Sequence, residues 1–145
     1  MIYLLDTDTC SLAMKRRHPE LIASIKTFAP AELKVSSITI HELEFGLRRS
    51  ERETRLRRVV ESFLDRVEVL GFDSLAAAES GAVRAELAAA GMLIGAYDTL
   101  IAGHARAIGA TVVTNDVREF TRVPQLLVEN WVATDGRARR PRERP

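Results

Sequence analysis

The chain has 145 residues, of which 46% are hydrophobic and 28% are charged, and its formal net charge is +1. This length is typical of one domain, because domains of roughly 100–150 residues are the commonest. No apolar run approaches the roughly 20 residues that span a membrane, and Asp6 interrupts the first run too early for a secretory signal. The single cysteine, Cys10, excludes an internal disulfide and a zinc site built from several cysteines. We therefore expect a cytoplasmic, single-domain protein without membrane segments.

The C-terminal end differs in composition from the rest of the chain. Residues 135–145 hold five arginines, two acids and two prolines, so residues 1–134 are slightly acidic. A segment this polar has too few apolar groups to fold. This contrast predicts a folded domain over 1–134 and a disordered basic tail over 135–145. The tail is interpreted either as a solvated segment or as a contact for nucleic acid.

Apolar runs alternate with helical patterns along the chain, which is typical of βαβ units and a parallel sheet. In chain order the predicted elements are a strand at 2–5, a helix capped by Asp8 or Thr9 and ending at Lys15, a helix at 19–27, a strand at 33–36, a helix capped by Ser37 or Thr39 and ending at Arg49, a helix at 51–65, a strand at 67–70, a helix capped by Asp73 and ending at Ala90, a helix at 96–108, and strands at 111–114 and 126–128. We expect an α/β fold with a central parallel sheet of about five strands flanked by helices. The helices before and after residue 50 are expected to form an exposed arm.

Four carboxylates fall where such a fold gathers polar groups. Asp6 ends the first apolar run, Asp116 follows another, and Glu42 and Asp98 fall early in predicted helices. Because parallel α/β sheets bind ligands beyond the carboxyl ends of their strands, Asp6 and Asp116 are expected to face one crevice if their strands are neighbours. A charge at the end of a buried strand is costly unless something binds it. The set therefore favours a site for a divalent cation.

Each acid also has a simpler interpretation when it is taken alone. Asp98 lies in the first turn of a helix, where exposed N–H groups favour a negative charge. Glu42 lies two residues from Glu44 and fits a solvated helix face. Asp116 fits a turn or cap before residues 117–120. The set of four is more specific than any one member.

Four segments carry a resemblance that covers nearly the whole chain. They are LLDTDT at 4–9, SSITIHELEFGL at 36–47, IGAYDTLIA at 94–102 and TNDVREF at 114–120. In this order and at these separations they resemble the motifs of PIN-domain ribonucleases, specifically the VapC-type toxins of type II toxin-antitoxin systems. The resemblance implies a PIN-like three-layer fold. It also maps the family's acids onto Asp6, Glu42, Asp98 and Asp116, with Asp8 and Glu119 as outer members.

The chemistry that suits such a set is phosphodiester hydrolysis. Hard oxygen ligands hold Mg²⁺ or Mn²⁺, which relieves charge on the phosphate and activates a water nucleophile. We expect Asp6 to bridge or bind the metal directly, and Asp98 and Glu42 to complete or orient the site. Asp116 is expected to bind a second ion or its water, and the number of ions stays open. The resemblance suggests that Thr114 hydrogen-bonds a carboxylate or the phosphate, although a strand-end threonine is commonly structural.

The resemblance also implies an activity and partners. It implies a metal-dependent endoribonuclease that cleaves structured RNA such as tRNA or ribosomal RNA. It further implies a homodimer and a cognate antitoxin whose chain end blocks the acidic pocket. Because RNA is recognised by shape and by unstacked loops, the sequence predicts neither the particular RNA nor the bond that is cut.

Arginines on the predicted arm are candidates for RNA contact. Arg48, Arg52 and Arg55 are spaced by four and three residues. Two interpretations are open for them. They contact RNA phosphates, or they belong to a solvated face that is paired with neighbouring acids such as Glu51 and Glu53.

Other function classes fit parts of the pattern. Residues 4–9 also fit the opening Asp-x-Asp motif of haloacid dehalogenase-like phosphatases, in which Asp6 would be the nucleophile, but all the lysines lie early and the later basic residue of those enzymes is missing. A PIN-like binding module with a catalytically silent pocket is the other alternative. A zinc protease is excluded, because Phe45 occupies the position of the second histidine that would have to follow His41 and Glu42.

Overall fold

The computed structural model describes residues 1–132, and the predicted tail at 135–145 lies outside this range. Five strands form one sheet in the order β3-β2-β1-β4-β5, and all neighbouring pairs are parallel. The strands are β1 (Tyr3–Leu5), β2 (Leu33–Ser36), β3 (Glu68–Leu70), β4 (Thr111–Val113) and β5 (Val128–Glu129). The predicted α/β fold with a parallel sheet of about five strands is confirmed.

Helices cover both faces of the sheet. In the described part of the chain they are α1 (Thr7–Lys15), α2 (Pro19–Thr27), α3 (Ser37–Arg49), α4 (Glu53–Leu64), α5 (Ser74–Ala89), α6 (Ala96–Ile108) and α7 (Val117–Phe120), with a short 3-10 turn at Pro30–Glu32. Successive residues of a strand point to opposite faces. Accordingly, Leu5 packs into the apolar cluster that includes Leu21 of α2, while Leu4 packs into the cluster that includes Ile101 of α6. The domain thus has three layers.

The two central strands bring the ends of distant segments together. Leu5 of β1 is in register with Val113 of β4, and the backbone N–H of Asp6 donates to the Val113 carbonyl oxygen at 3.1 Å. Asp6 and Thr114, which follow these strands, are therefore neighbours. This adjacency meets the condition under which the sequence predicted a shared crevice.

Two predicted helix caps are wrong. Helix α1 is capped by Asp6, whose side chain accepts from the backbone N–H of Thr9, and α3 is capped by Ser36, whose hydroxyl accepts from the backbone N–H of Ile38. In both cases the helix begins directly after the strand. The polar residue at the strand end therefore satisfies the first free N–H groups of the helix.

Strand β5 begins later than predicted. The sequence placed it at 126–128, but Gln125 has a φ of 59°, which keeps the chain in a turn before the strand starts. The ladder with β4 then pairs Val112 with Val128. The shift leaves the position of β4, and hence of the crevice, unchanged.

The α3–α4 segment is only partly an exposed arm. Helix α3 buries Thr39, Leu43 and Leu47, whereas α4 has no buried residue. The apolar side of α3 packs against the body of the domain, because these positions are spaced by four residues along one face. Within residues 1–132, no helix combines the length and the apolar character that a membrane crossing requires.

Helices α5 and α6 pack unusually closely. A Cβ atom added at Gly103 of α6 would lie 2.3 Å from the Cα atom of Ser80 in α5. Arg106 of α6 also pairs with Glu79 and Glu86 of α5, at 2.5 and 2.7 Å. The first turn of α6, which holds Asp98, is thus carried by a tightly joined helix pair.

Candidate active site

Asp6 is buried at the junction of β1 and α1. Its Oδ1 atom accepts the backbone N–H of Thr9 at 2.8 Å, and its Oδ2 atom accepts the hydroxyl of Thr114 at 2.6 Å. Burial raises the pKa of Asp6 from 3.8 to about 6, and the two hydrogen bonds act in the opposite direction. Both oxygens are therefore fixed in place before any ligand binds.

Asp116 lies at the start of α7, beyond the end of β4. Its backbone N–H donates to the Thr114 hydroxyl at 2.8 Å, and its side chain accepts the backbone N–H of Glu119 at 3.3 Å. The short helix α7 turns the chain back, so that Glu119 comes close to Asp116. Asp116 is exposed and Glu119 is half-buried.

Asp98, in the first turn of α6, meets these two acids. Asp98, Asp116 and Glu119 each offer a carboxylate oxygen within 4.8 Å of the others. The pKa of Asp98 rises from 3.8 to about 8, because the group is partly buried and because Glu119, Asp6 and Asp116 lie close by. Like charges at this separation oppose ionisation, which a cation would reverse.

Glu42 is held by a separate chain of hydroxyls. The Thr7 hydroxyl donates to the Oε1 atom of Glu42 at 2.7 Å and lies 2.9 Å from the hydroxyl of buried Thr39. Since Thr7 follows Asp6 directly, Glu42 lies at the same edge of the sheet. It does not belong to the trio of Asp98, Asp116 and Glu119.

The carboxylate trio fits a divalent cation. Oxygens that share one Mg²⁺ at about 2.0–2.1 Å are at most about 4.2 Å apart, so a separation of 4.8 Å needs only small side-chain adjustments. All the ligands are hard oxygen donors, which Mg²⁺ and Mn²⁺ prefer. The pKa of Asp98 is raised first by its burial and then by the neighbouring acids, whose charge a cation would neutralise.

The structure brings some of the predicted site residues together and leaves others apart. It brings together Asp6, Asp98 and Asp116, and it moves Glu119 from an outer position into the trio. Asp8 is exposed in the first turn of α1, where its charge contributes to the raised pKa of Asp6.

The sequence did not predict that Thr7 and Thr39 support Glu42, since it indicated Thr39 only as a helix cap. Their sequence positions gave a weak indication of this contact. Thr39 lies three residues before Glu42 on the same helix face, and Thr7 follows Asp6.

The three arginine candidates occupy different environments. Arg48 pairs with Glu44 at 2.8 Å on the exposed side of α3. Arg52 and Arg55 instead line a groove of 580 Å³ between α1, α3 and α4, together with Thr7 and Glu42. This α1–α3–α4 groove connects the arginines to the Glu42 side of the site.

Comparison with known proteins assigns the fold to one family. The sequence model of the PIN domain family matches residues 3–126. The chain therefore belongs to the PIN domain family, a nuclease fold, and the predicted three-layer PIN-like domain is confirmed.

Within this family the chain is homologous to the VapC ribonucleases. The tRNA(fMet)-specific endonuclease VapC of Salmonella typhimurium is 43% identical over 129 residues, which cover 89% of this chain and 97% of that protein. Ribonuclease VapC2 of Rickettsia felis is 39% identical over 138 residues, covering 90% and 98%. The crystal structure of DNA-bound VapBC from Salmonella typhimurium matches with a TM-score of 0.86 at 40% identity, over 90% of this chain and 98% of that chain. The predicted VapC-type ribonuclease is confirmed, and the phosphatase alternative is set aside.

Proposed function

We propose that this chain is a metal-dependent endoribonuclease that cleaves tRNA and acts as the toxin of a toxin-antitoxin pair. The observation that carries the proposal is the meeting of Asp98, Asp116 and Glu119 beside buried Asp6. Family membership supports the ribonuclease activity. The name of the Salmonella relative supports tRNA as the substrate class.

The residues divide the work of phosphodiester hydrolysis. Asp98, Asp116 and Glu119 would hold the cation, with Asp6 behind them as a fixed negative charge. Mg²⁺ or Mn²⁺, when bound, supplies charge neutralisation at the phosphate and makes a water molecule more acidic.

We assign Glu42 the role of general base, which accepts the proton of the attacking water. Within the described residues, the hydrogen bond that Glu42 accepts comes from Thr7 and occupies its Oε1 atom. Its second oxygen is therefore free to take a proton. The hydroxyl chain through Thr7 and Thr39 fixes the direction in which that oxygen points.

The substrate backbone would reach the acids along the α1–α3–α4 groove. Lys15, Arg17, Arg52 and Arg55 line this groove together with Glu42. Cationic side chains contact phosphates, and phosphate contacts fix the position of a nucleic acid without reading its sequence. Arg48 is a weaker candidate than Arg52 and Arg55, because it is paired with Glu44 and does not line the groove.

A cognate antitoxin is the proposed protein partner. The matched Salmonella and Rickettsia structures are VapBC complexes. The α1–α3–α4 groove has an apolar floor that includes Leu43, Leu47 and Leu56, and a basic rim. An acidic, amphipathic chain end would complement both. Such a segment would exclude RNA phosphates from the groove, which is a direct route to inhibition. A homodimer in the cytoplasm is the assembly that we propose for the toxin.

The experiment that tests the function is a cleavage assay with purified chain and total tRNA. Magnesium should produce discrete RNA fragments, a chelator should abolish them, and Asp98→Asn should lack activity in magnesium. Sequencing the new RNA ends would identify the substrate and the bond. If the wild-type chain binds tRNA but cuts no RNA in Mg²⁺ or Mn²⁺, the binding-module alternative replaces the enzyme.

A further inference from the structure

An exposed pair of rings bridges the two helices that carry acids. The Nε2 atom of His41 in α3 lies 3.0 Å from the hydroxyl of Tyr97 in α6, and the ring centroids are 5.4 Å apart. His41 precedes Glu42 and Tyr97 precedes Asp98 in the sequence. The pair therefore stands at the rim of the acidic crevice, and the mechanism above gives it no role.

The row continues along α3. Phe45 follows His41 by one helical turn, and the guanidinium of Arg49, one turn further, lies 5.3 Å from the centroid of the Phe45 ring. Residues spaced by four share one face of a helix. From His41 to Arg49 this face is about 12 Å long, at 1.5 Å per residue. We call Tyr97, His41, Phe45 and Arg49 the ring row.

Exposure of the ring row is unusual for this chain. All eight aromatic residues lie within the described part, and of these only Phe45 and Tyr97 are exposed, at 58% and 45%. The other aromatic residues, such as Trp131 and Phe120, are buried or half-buried. Aromatic rings that are left in water at a crevice are typical of binding surfaces.

We propose that the ring row is a stacking track for unpaired nucleobases of the RNA substrate, which holds the single strand on one side of the acidic crevice while the α1–α3–α4 groove holds its backbone on the other. The proposal rests on the ribonuclease function proposed above. Proteins recognise unstacked RNA bases largely on aromatic faces and arginine planes. The ring row offers both aromatic faces and an arginine plane, and three of its members lie on α3, the helix that carries Glu42.

RNA fits the ring row better than a protein partner does. Its members are two rings with hydrogen-bonding atoms, one phenyl ring and a cation, without the aliphatic floor of the α1–α3–α4 groove. The aliphatic floor, with Leu43 and Leu47, belongs to the α1–α3–α4 groove on another face of α3. The two faces of α3 thus offer different chemistry beside one site.

The test measures binding and stacking without cleavage. The full chain, in chelator, is titrated into a short single-stranded RNA that contains 2-aminopurine, whose fluorescence is quenched when the base stacks. Phe45→Ala and Tyr97→Ala should each weaken binding about tenfold and reduce the quenching, since stacking contributes strongly to such complexes. The slope of affinity against salt should not change. Arg49→Ala should lower that slope by about one unit.

Matched variants separate stacking from folding. Tyr97→Phe keeps the ring and should retain quenching. Leu75→Ala removes an exposed apolar side chain on α5, 71% exposed and outside the ring row, and should change nothing. Thermal melting should be near wild type for all variants, because the altered side chains are exposed.

Two outcomes would overturn the proposal. If the chain cuts tRNA but the double variant Phe45→Ala/Tyr97→Ala binds and quenches like wild type, the ring row has no role in RNA binding. If the double variant changes self-association or binding of the antitoxin while RNA binding is unaltered, the ring row is a protein interface. Conversely, ring-dependent quenching in a wild-type chain that cuts no RNA would leave the stacking track intact while the proposed ribonuclease function fails.

Discussion

The hydroxyl of Thr114 donates a 2.6 Å hydrogen bond to Oδ2 of Asp6 and accepts one of 2.8 Å from the backbone N–H of Asp116. One small side chain thus joins the end of β1 to the entry of α7. It stabilises the charged form of Asp6, since the hydrogen bond opposes the effect of burial and the resulting pKa of Asp6 is about 6. Thr114 therefore joins two residues of the site through hydrogen bonds and acts electrostatically on Asp6.

Replacing Thr114 with valine should shift the pH dependence of cleavage. Without the hydroxyl, the pKa of Asp6 rises further, so the ionised carboxylate forms at higher pH. The acid limb of the profile of kcat/KM against pH should move upward, with lower activity at neutral pH. Thr114→Ser should restore the profile. Thr121→Val, which removes an exposed hydroxyl on the Val117 carbonyl, is the control. An unshifted acid limb would show that Thr114 does not act through Asp6.

Asp6→Asn and Asp98→Asn should each reduce RNA cleavage at least ~100-fold, the scale for losing a strong electrostatic contact. Folding should survive, because asparagine caps a helix about as well as aspartate and α1 keeps its first-turn hydrogen bond. Asp73→Asn makes the same change at the cap of α5 and should retain activity. Cleavage of tRNA by the purified Asp6→Asn chain at a near wild-type rate would remove Asp6 from the mechanism.

The stability of the metal-free chain should fall as pH rises. Asp98 and Asp6 have pKa values raised from 3.8 to about 8 and about 6 by burial and, for Asp98, by neighbouring acids. Their protonated forms favour the folded state, so this stabilisation is complete below about pH 4 and is lost as pH rises through 6 and 8. The lowered pKa of buried His104 acts in the opposite direction below about pH 6.5. Melting temperature in chelator should therefore decline between about pH 6.5 and 8.5, and millimolar Mg²⁺ should restore it at high pH.

Asp98→Asn isolates the contribution of Asp98 to that decline. The variant should melt higher than wild type in chelator at pH 8 and gain less from Mg²⁺. The loss of a first-turn charge in α6 opposes this by about 0.3–1 kcal/mol. If Asp98→Asn melts lower in chelator and metal leaves the wild-type melting temperature unchanged, the acids do not converge on a cation.

Thr7→Val should lower kcat about tenfold, because it removes the hydroxyl that orients Glu42. Hydrogen bonds to charged groups contribute about 1.5–3 kcal/mol. A tenfold fall in rate corresponds to a free energy near the lower end of that range. Thr7→Ser should recover most of the activity, and KM should change little. A purely structural role would lower stability and leave the kcat of the folded fraction as in wild type.

The arginines of the α1–α3–α4 groove should account for part of the salt dependence of RNA binding. Neutralising Arg52 and Arg55 together should weaken binding and reduce the slope of log affinity against log salt by up to about two units. Arg48→Ala should have a smaller effect, because Arg48 is paired with Glu44. An unchanged slope in the double variant would assign Arg52 and Arg55 to the solvated surface or to the antitoxin.

Strand ends were predictable from the sequence, and long-range partners were not. The apolar runs before Asp6 and Asp116 predicted two parallel strands, and one shared crevice on the condition that these strands are neighbours. Nothing local indicated that α1 begins directly after β1, so the cap role of Asp6 was missed.

The position of Glu119 was underestimated for a related reason. It enters the trio only because the short helix α7 turns the chain back towards Asp98. The contact between Thr7 and Glu42 joins residues 35 positions apart. Hydrophobic periodicity predicts elements and carries no information about such contacts.

The two hydrogen bonds of Asp6 bear on whether the toxin stays folded in the absence of metal. One of its oxygens secures the start of α1 and the other is held by Thr114. Neither contact involves the carboxylates of Asp98, Asp116 and Glu119, so neither has to break when those three acids hold a cation. We therefore expect the chain to stay folded without metal, so that binding of a divalent cation would activate it without a refolding step.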